Sequence, residues 1–152
     1  RGLGDVYKRQ SPDVVIIDSM DLLTDSSGRR WSENGERHKR VAVANDLKDL
    51  AGDENVWMVV TYQATIENRE WLNDEQNVLS EYNCSEAKGL SRPMTHLITL
   101  NQSINEMREN IMRINVAKSR FFKKGDPFKI ATDYDNECFY DRARTLNISK
   151  VA

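Results

Sequence analysis

Two uninterrupted apolar runs stand out near the start of the chain. Asp13–Asp18 (DVVIID) is β-branched and closes on an acid; Val56–Gln63 (VWMVVTYQ) closes on an amide. Short runs without alternation predict strands buried on both faces, as in a parallel sheet. Between them Val41, Ala44, Leu47, Leu50 and Ala51 recur at helical spacing with charges in the gaps, and Gly52 stands as a stop. Strand, helix, strand in this order predicts a βαβ unit, with Trp57 in its core.

From Ala64 to Met94 the periodicity disappears. A stretch that long without pattern inside a compact domain is usually functional or mobile. Beyond it, His96–Leu100 (HLITL), Ile111–Ala117, Phe128–Thr132 and Glu137–Tyr140 (ECFY) predict strands, the last two joined by an Asp-Tyr-Asp-Asn turn at 133–136. Hairpin connections in the back half predict antiparallel strands. The expected fold class is therefore α/β, a largely parallel sheet with antiparallel edge strands on its C-terminal side.

Composition narrows the class. In 152 residues, 22 Lys and Arg face 24 Asp and Glu, so the net charge of −2 gives no global field for a polyanion or a membrane surface. No apolar run approaches the roughly 20 residues of a membrane-spanning helix. Two cysteines, Cys84 and Cys138, make no disulfide framework and lack metal-ligand spacing. The expectation is a cytoplasmic domain with no membrane partner. Residues 1–10 (RGLGDVYKRQ) differ in character and resemble translated sequencing-adapter bases, so they are set apart from the fold. That leaves 11–142 as the domain, 143–152 as a tail, and an expected upstream extension of the true protein.

Four features carry chemistry. Asp18 ends a predicted parallel strand, where such sheets bind ligands, and a carboxylate there suits Mg²⁺ held through water. The plainer reading is a strand-end cap. Gln63 ends the next strand, where an amide can contact a γ-phosphate; the plainer reading is an exposed polar terminus. The long segment carries Arg69, Lys88 and Arg92, able to contact the phosphates of a bound strand, against six acids that argue against the whole segment lying on a polyanion. Lys118 and Arg120, at i and i+2, project on one side if the chain stays extended. Such a pair suits a finger that neutralises charge on transferring phosphoryl oxygens, or else a cationic edge that discourages aggregation. His96 reads as structural, and Trp71 is the aromatic residue best placed to stack on a base.

Together these motifs resemble a family. Asp13–Leu23 (DVVIIDSMDLL), Leu47–Ala64 (LKDLAGDENVWMVVTYQA), Ser85–Gln102 (SEAKGLSRPMTHLITLNQ) and Arg113–Arg120 (RINVAKSR) look like successive motifs of the RecA-fold ATPase domain of DnaB-type hexameric replicative helicases, with a phage and plasmid flavour. The resemblance covers residues 12 to 142. It implies a RecA-like P-loop NTPase core, ATP and Mg²⁺ as cofactors, single-stranded DNA as substrate, a homo-oligomeric ring (a hexamer), and a primase or helicase loader as partner. By the same carry-over Asp18 is the metal acid and Gln63 the γ-phosphate sensor. Lys118 and Arg120 serve the nucleotide of a neighbouring subunit, and Arg69, Lys88 and Arg92 lie towards DNA. There are departures. No GxxxxGK[ST] phosphate loop occurs, and Ser19 stands where many ATPases have the water-activating glutamate. The expected core thus lacks the phosphate-loop strand and helix, and the fragment alone is expected to be inactive. Asp18-Ser19 also matches recombinase wording, so a RecA-type DNA-dependent ATPase stays open, as does a non-catalytic α/β binding module.

Overall fold

The computed structural model describes residues 12–28, 30–32, 35–64, 69–83 and 89–141. The chain divides into two compact units, Arg1–Ala64 with Cys84–Met94, and Thr65–Asn83 with Thr95–Ala152.

In the first unit, strand β1 (Val14–Ile17) pairs in parallel with β2 (Trp57–Val60), Val14 opposite Trp57 and Ile17 opposite Val60. Helix α1 (Glu36–Asp53) connects them, burying Val43 and Ala44. The helix runs past Gly52. Asn55 takes the left-handed conformation (φ 52°) instead, with Asn55 N–H donating to Gly52 O and Val56 N–H to Ala51 O. This is the Schellman arrangement, which satisfies the last helical carbonyls and turns the chain into β2. Gly89 lies against the Val41 side chain, 3.4 Å from where a Cβ would stand, and Leu90 beside it is fully buried.

The two strands differ from expectation in one respect. Val14, Ile16, Trp57 and Val59 are exposed on one face, and Trp57, expected in the core, is 80% exposed. One helix covers one face of a two-stranded sheet, and the described residues supply no second layer.

In the second unit four strands form an antiparallel sheet in chain order: β3 (His96–Asn101), β4 (Ile111–Ser119), β5 (Phe128–Asp133) and β6 (Cys138–Asp141). The strands thus fall into two separate sheets rather than the single mixed sheet expected from the sequence. The 133–136 turn forms as predicted, with Asp133 accepting from the backbone and side-chain amides of Asn136. The patternless segment contains a short helix, α2 (Arg69–Asn73), and a 3₁₀ turn at Glu81–Asn83.

Between β3 and β4 lies helix α3 (Ile104–Arg108), which apolar spacing did not reveal. Ser103 Oγ accepts from Glu106 N–H at 3.1 Å, and the Glu106 carboxylate accepts from Ser103 N–H at 2.9 Å. This capping box satisfies two orphan donors of the first turn.

A buried polar cluster organises this unit. The Glu106 and Arg113 side chains, 1% and 3% exposed, pair at 2.9 Å. Lys129, opposite Arg113 on β5, lies 3.3 Å from Glu106 and 2.9 Å from Glu75. Arg113 Nη1 also donates to the carbonyls of Glu75 and Asn77. Asn101 accepts from Leu79 N–H at 2.6 Å, while Thr99 and Asn115 both donate to Leu79 O. Burial alone raises the Glu106 pKa, but the bonds from Ser103 N–H, Arg113 and Lys129 outweigh it and hold the carboxyl below its ordinary range. Lys129 is pushed up, chiefly by its bond to Glu75 and against the effect of burial. Residues 75–79 are therefore fastened to the sheet by directional bonds rather than by apolar contacts.

Candidate functional site

Parallel pairing of β1 and β2 carries both chains to the same end of the sheet, and the polar residues that follow converge there. Thr61 N–H donates to Ile17 O and Met20 N–H to Thr61 O, each at 3.0 Å, so the pairing continues beyond the strands proper. The Thr61 hydroxyl donates to the Asp18 carboxylate. Gln63 N–H donates to Asp21 at 3.3 Å. Asp18, Ser19, Asp21, Leu22, Thr61, Tyr62 and Gln63 line an open depression of about 450 Å³. The Asp18–Ser19 peptide bond is cis.

Of the predicted residues, Asp18 and Gln63 are thus brought together. Gln63 lies three residues past the end of β2 and is exposed. Thr61 and Asp21 were not singled out in the sequence. Thr61 fixes the Asp18 carboxylate and Asp21 fixes the Gln63 backbone, and the one available signal was their adjacency to the two strand ends.

The donor set suits a hard cation. Two carboxylates, a hydroxyl and an amide oxygen match the preference of Mg²⁺ for oxygen ligands. Among the described residues no group of three or more His, Cys, Asp or Glu side chains gathers, so a cation here would keep most of its water. Lining cations are absent from the depression, so phosphate would need donors beyond the lining residues.

Lys118 and Arg120 belong to the second unit. The β3–β4 register shifts between Leu97 and Ile98: Leu97 faces Lys118 while Ile98 faces Val116, which leaves Ala117 as the extra residue. Such a bulge twists the strand and re-aims the side chains beyond it. Strand β4 ends at Ser119, so Arg120 stands in a bend, though its N–H still donates to Thr95 O at 3.2 Å. The fully extended geometry expected for the pair does not persist to Arg120. Lys118 is half-buried and Arg120 exposed.

The DNA-facing candidates scatter. Arg69 begins α2, Arg92 follows Gly89–Ser91 in the first unit, and Lys88 lies outside the described residues. Cys138 is an exposed free thiol, and Cys84 also lies outside the described residues. Among the described residues no helix is long and apolar enough to cross a membrane.

A parallel βαβ unit with polar side chains gathered at its carboxyl end, followed by an antiparallel meander, places the chain in the RecA-like class of ATPase folds. Its particular likeness is to the ATPase domains of replicative helicases. One solved helicase ATPase domain matches 91% of this chain with a TM-score of 0.70 at 18% identity. A DnaB-like replicative helicase, from a structure of that helicase and its interactions with primase, matches 90% with a TM-score of 0.68 at 19% identity. The match takes up 48% of the first of those chains and 33% of the second, so this chain spans half or less of either. No family model matches the chain, and no curated protein does.

Proposed function

We propose that this chain is the C-terminal portion of the ATPase domain of a DnaB-type replicative helicase, a phage-like enzyme that uses ATP to translocate on single-stranded DNA. The observation that carries the reading is the convergence of Asp18 and Gln63 at the carboxyl end of the β1–β2 pair, within a fold that matches two such domains.

In this reading Asp18 holds the water shell of Mg²⁺, oriented by the Thr61 hydroxyl. Gln63 meets the γ-phosphate, and loss of that phosphate releases the segment beginning at Ala64. Lys118 and Arg120 reach the nucleotide of the next subunit in a homo-oligomeric ring, a hexamer. There the guanidinium neutralises charge spreading over the phosphoryl oxygens. Arg69, Lys88 and Arg92 contact the DNA backbone. The partners are single-stranded DNA and a primase or helicase loader, and the setting is the cytoplasm. The phosphate loop and the water-activating glutamate come from sequence other than this chain, consistent with the share of the neighbours it spans.

The test is Arg120→Ala in the gene product that carries this chain. DNA-stimulated ATP hydrolysis should fall about a thousandfold with nucleotide binding retained. Unchanged turnover would remove the finger role. Ser19 after Asp18 favours, as the second reading, a recombinase-type ATPase. That protein would hydrolyse ATP on DNA but pair and exchange strands rather than unwind a fork.

A further inference from the structure

The turn that follows β4 is built like an anchor. Residues 118–124 (KSRFFKK) contain Lys118, Arg120, Lys123 and Lys124 with no acid among them. Phe121 is 81% exposed, and Phe122 is more than half exposed. The turn is nonetheless well fixed. Ser119 Oγ accepts from Phe121 N–H at 3.3 Å and Phe122 N–H at 3.2 Å, and Lys124 Nζ donates to Ala117 O at 2.9 Å, at the bulge. His96 stacks on Phe122 with ring centroids 5.2 Å apart and meets Phe121 edge-on at 5.7 Å. Two large rings held outward on a braced backbone lose little entropy on docking, the property that makes aromatic side chains effective interface anchors.

The first unit presents a counterpart of opposite character. The depression at the end of β1 and β2 is lined by the carboxylates of Asp18 and Asp21 and by no cation. On its rim Leu22 is 82% exposed. A basic turn with an apolar tip matches an acidic depression with an apolar rim in both charge and polarity. Both patches are uncovered in the single chain. Because they are different patches, their pairing between copies is head-to-tail and propagates, as a ring requires.

We infer that Phe121 and Phe122 seat on the Leu22 rim of a second copy of this chain, with Lys123 against Asp21. The aromatic pair is thus the positioning element that delivers Lys118 and Arg120 to the neighbouring depression. The inference rests on the proposed nucleotide role of that depression and adds the contact that reaches it.

Complementation tests it on the chain itself. Phe121→Glu breaks the turn, and Leu22→Lys breaks the depression. Both sites are more than 80% exposed, so neither change disturbs folding. Self-association of each variant, and of their equimolar mixture, is measured by sedimentation with one labelled partner. Each variant alone should associate at least roughly tenfold more weakly than wild type, since like charge at a contact is strongly penalised. The mixture retains one intact turn and one intact depression, so it should recover wild-type affinity and stop at dimers. Contacts through other surfaces are common to all three samples and cancel. A mixture no tighter than either variant overturns the inference. So does Leu22→Lys associating as wild type, which would mean turn-to-turn pairing. If the mixture shows no advantage while an oligothymidine binds wild type but not Phe121→Glu, the turn serves nucleic acid and the inference is wrong. The readout is association, not hydrolysis, so its failure is distinct from failure of the ATPase reading.

Discussion

The two units bury different kinds of side chain. The first hides Met20, Val43, Ala44, Val56 and Leu90 and leaves one face of its two-stranded sheet open. The second hides Thr99, Asn101, Ser103, Glu106, Arg113 and Thr132 alongside a few small apolar groups. Apolar burial is non-directional and tolerates small shifts, whereas buried polar groups must meet partners at defined positions. The second unit is therefore held in one register by its bonds. The first assembles its chemical end by strand pairing alone, with Thr61 and Asp21 as local struts.

The most damaging way to probe this contrast is Arg113→Ala. It strands the buried Glu106 carboxylate and frees the carbonyls of Glu75 and Asn77. Removing one member of a buried pair costs about 3–5 kcal/mol, read as a lower denaturant midpoint. The Glu106→Leu, Arg113→Met double variant should cost less than the single, because no uncompensated charge remains. The pH dependence follows from the lowered Glu106 pKa. A depressed carboxyl adds stability above its unfolded value of about 4.3 and loses it as pH falls through the lower folded value. The penalty of Arg113→Ala should accordingly be largest near neutrality and shrink in acid, where protonated Glu106 no longer needs a cation. A penalty independent of pH would mean that Arg113 acts through packing instead.

Ser103→Ala is a milder probe of the same cluster. It removes the acceptor for Glu106 N–H while leaving the Glu106–Arg113 pair, so a loss of about 1 kcal/mol is expected, the usual value of an N-cap. Ser103→Thr should retain most of the stability. A loss as large as that of Arg113→Ala would show that the cap and the ion pair are one cooperative unit.

What the sequence revealed, and what it concealed, follows the same division. β1, α1, β2 and the strand-end positions of Asp18 and Gln63 were legible because each depends on a pattern a few residues long. The polar cluster was not, because Asn101 reaches back 22 residues to Leu79 and Arg113 reaches 38 to Glu75, and such bonds leave no local period. Helix α3 is too short for apolar periodicity, although Ser103-x-x-Glu106 is itself a start signal. Burial of β1 and β2 was misjudged for a physical reason: an uninterrupted apolar run shows that a strand suits two covered faces, and what covers them is settled elsewhere.

The smallest expected effect is at that uncovered face. Trp57, 80% exposed and directly opposite Val14, has little to lose on replacement. Trp57→Thr keeps a β-compatible side chain and should change stability by no more than about 0.5 kcal/mol, the usual range at exposed sites. Wild-type Trp57 fluorescence should correspondingly be open to quenching by acrylamide, and the variant should bind less of an apolar dye. A loss above about 2 kcal/mol would be the cost of truncating a buried aromatic and would place Trp57 in a packed layer. The first unit would then have a second covered face, and its contrast with the polar-pinned second unit would fall.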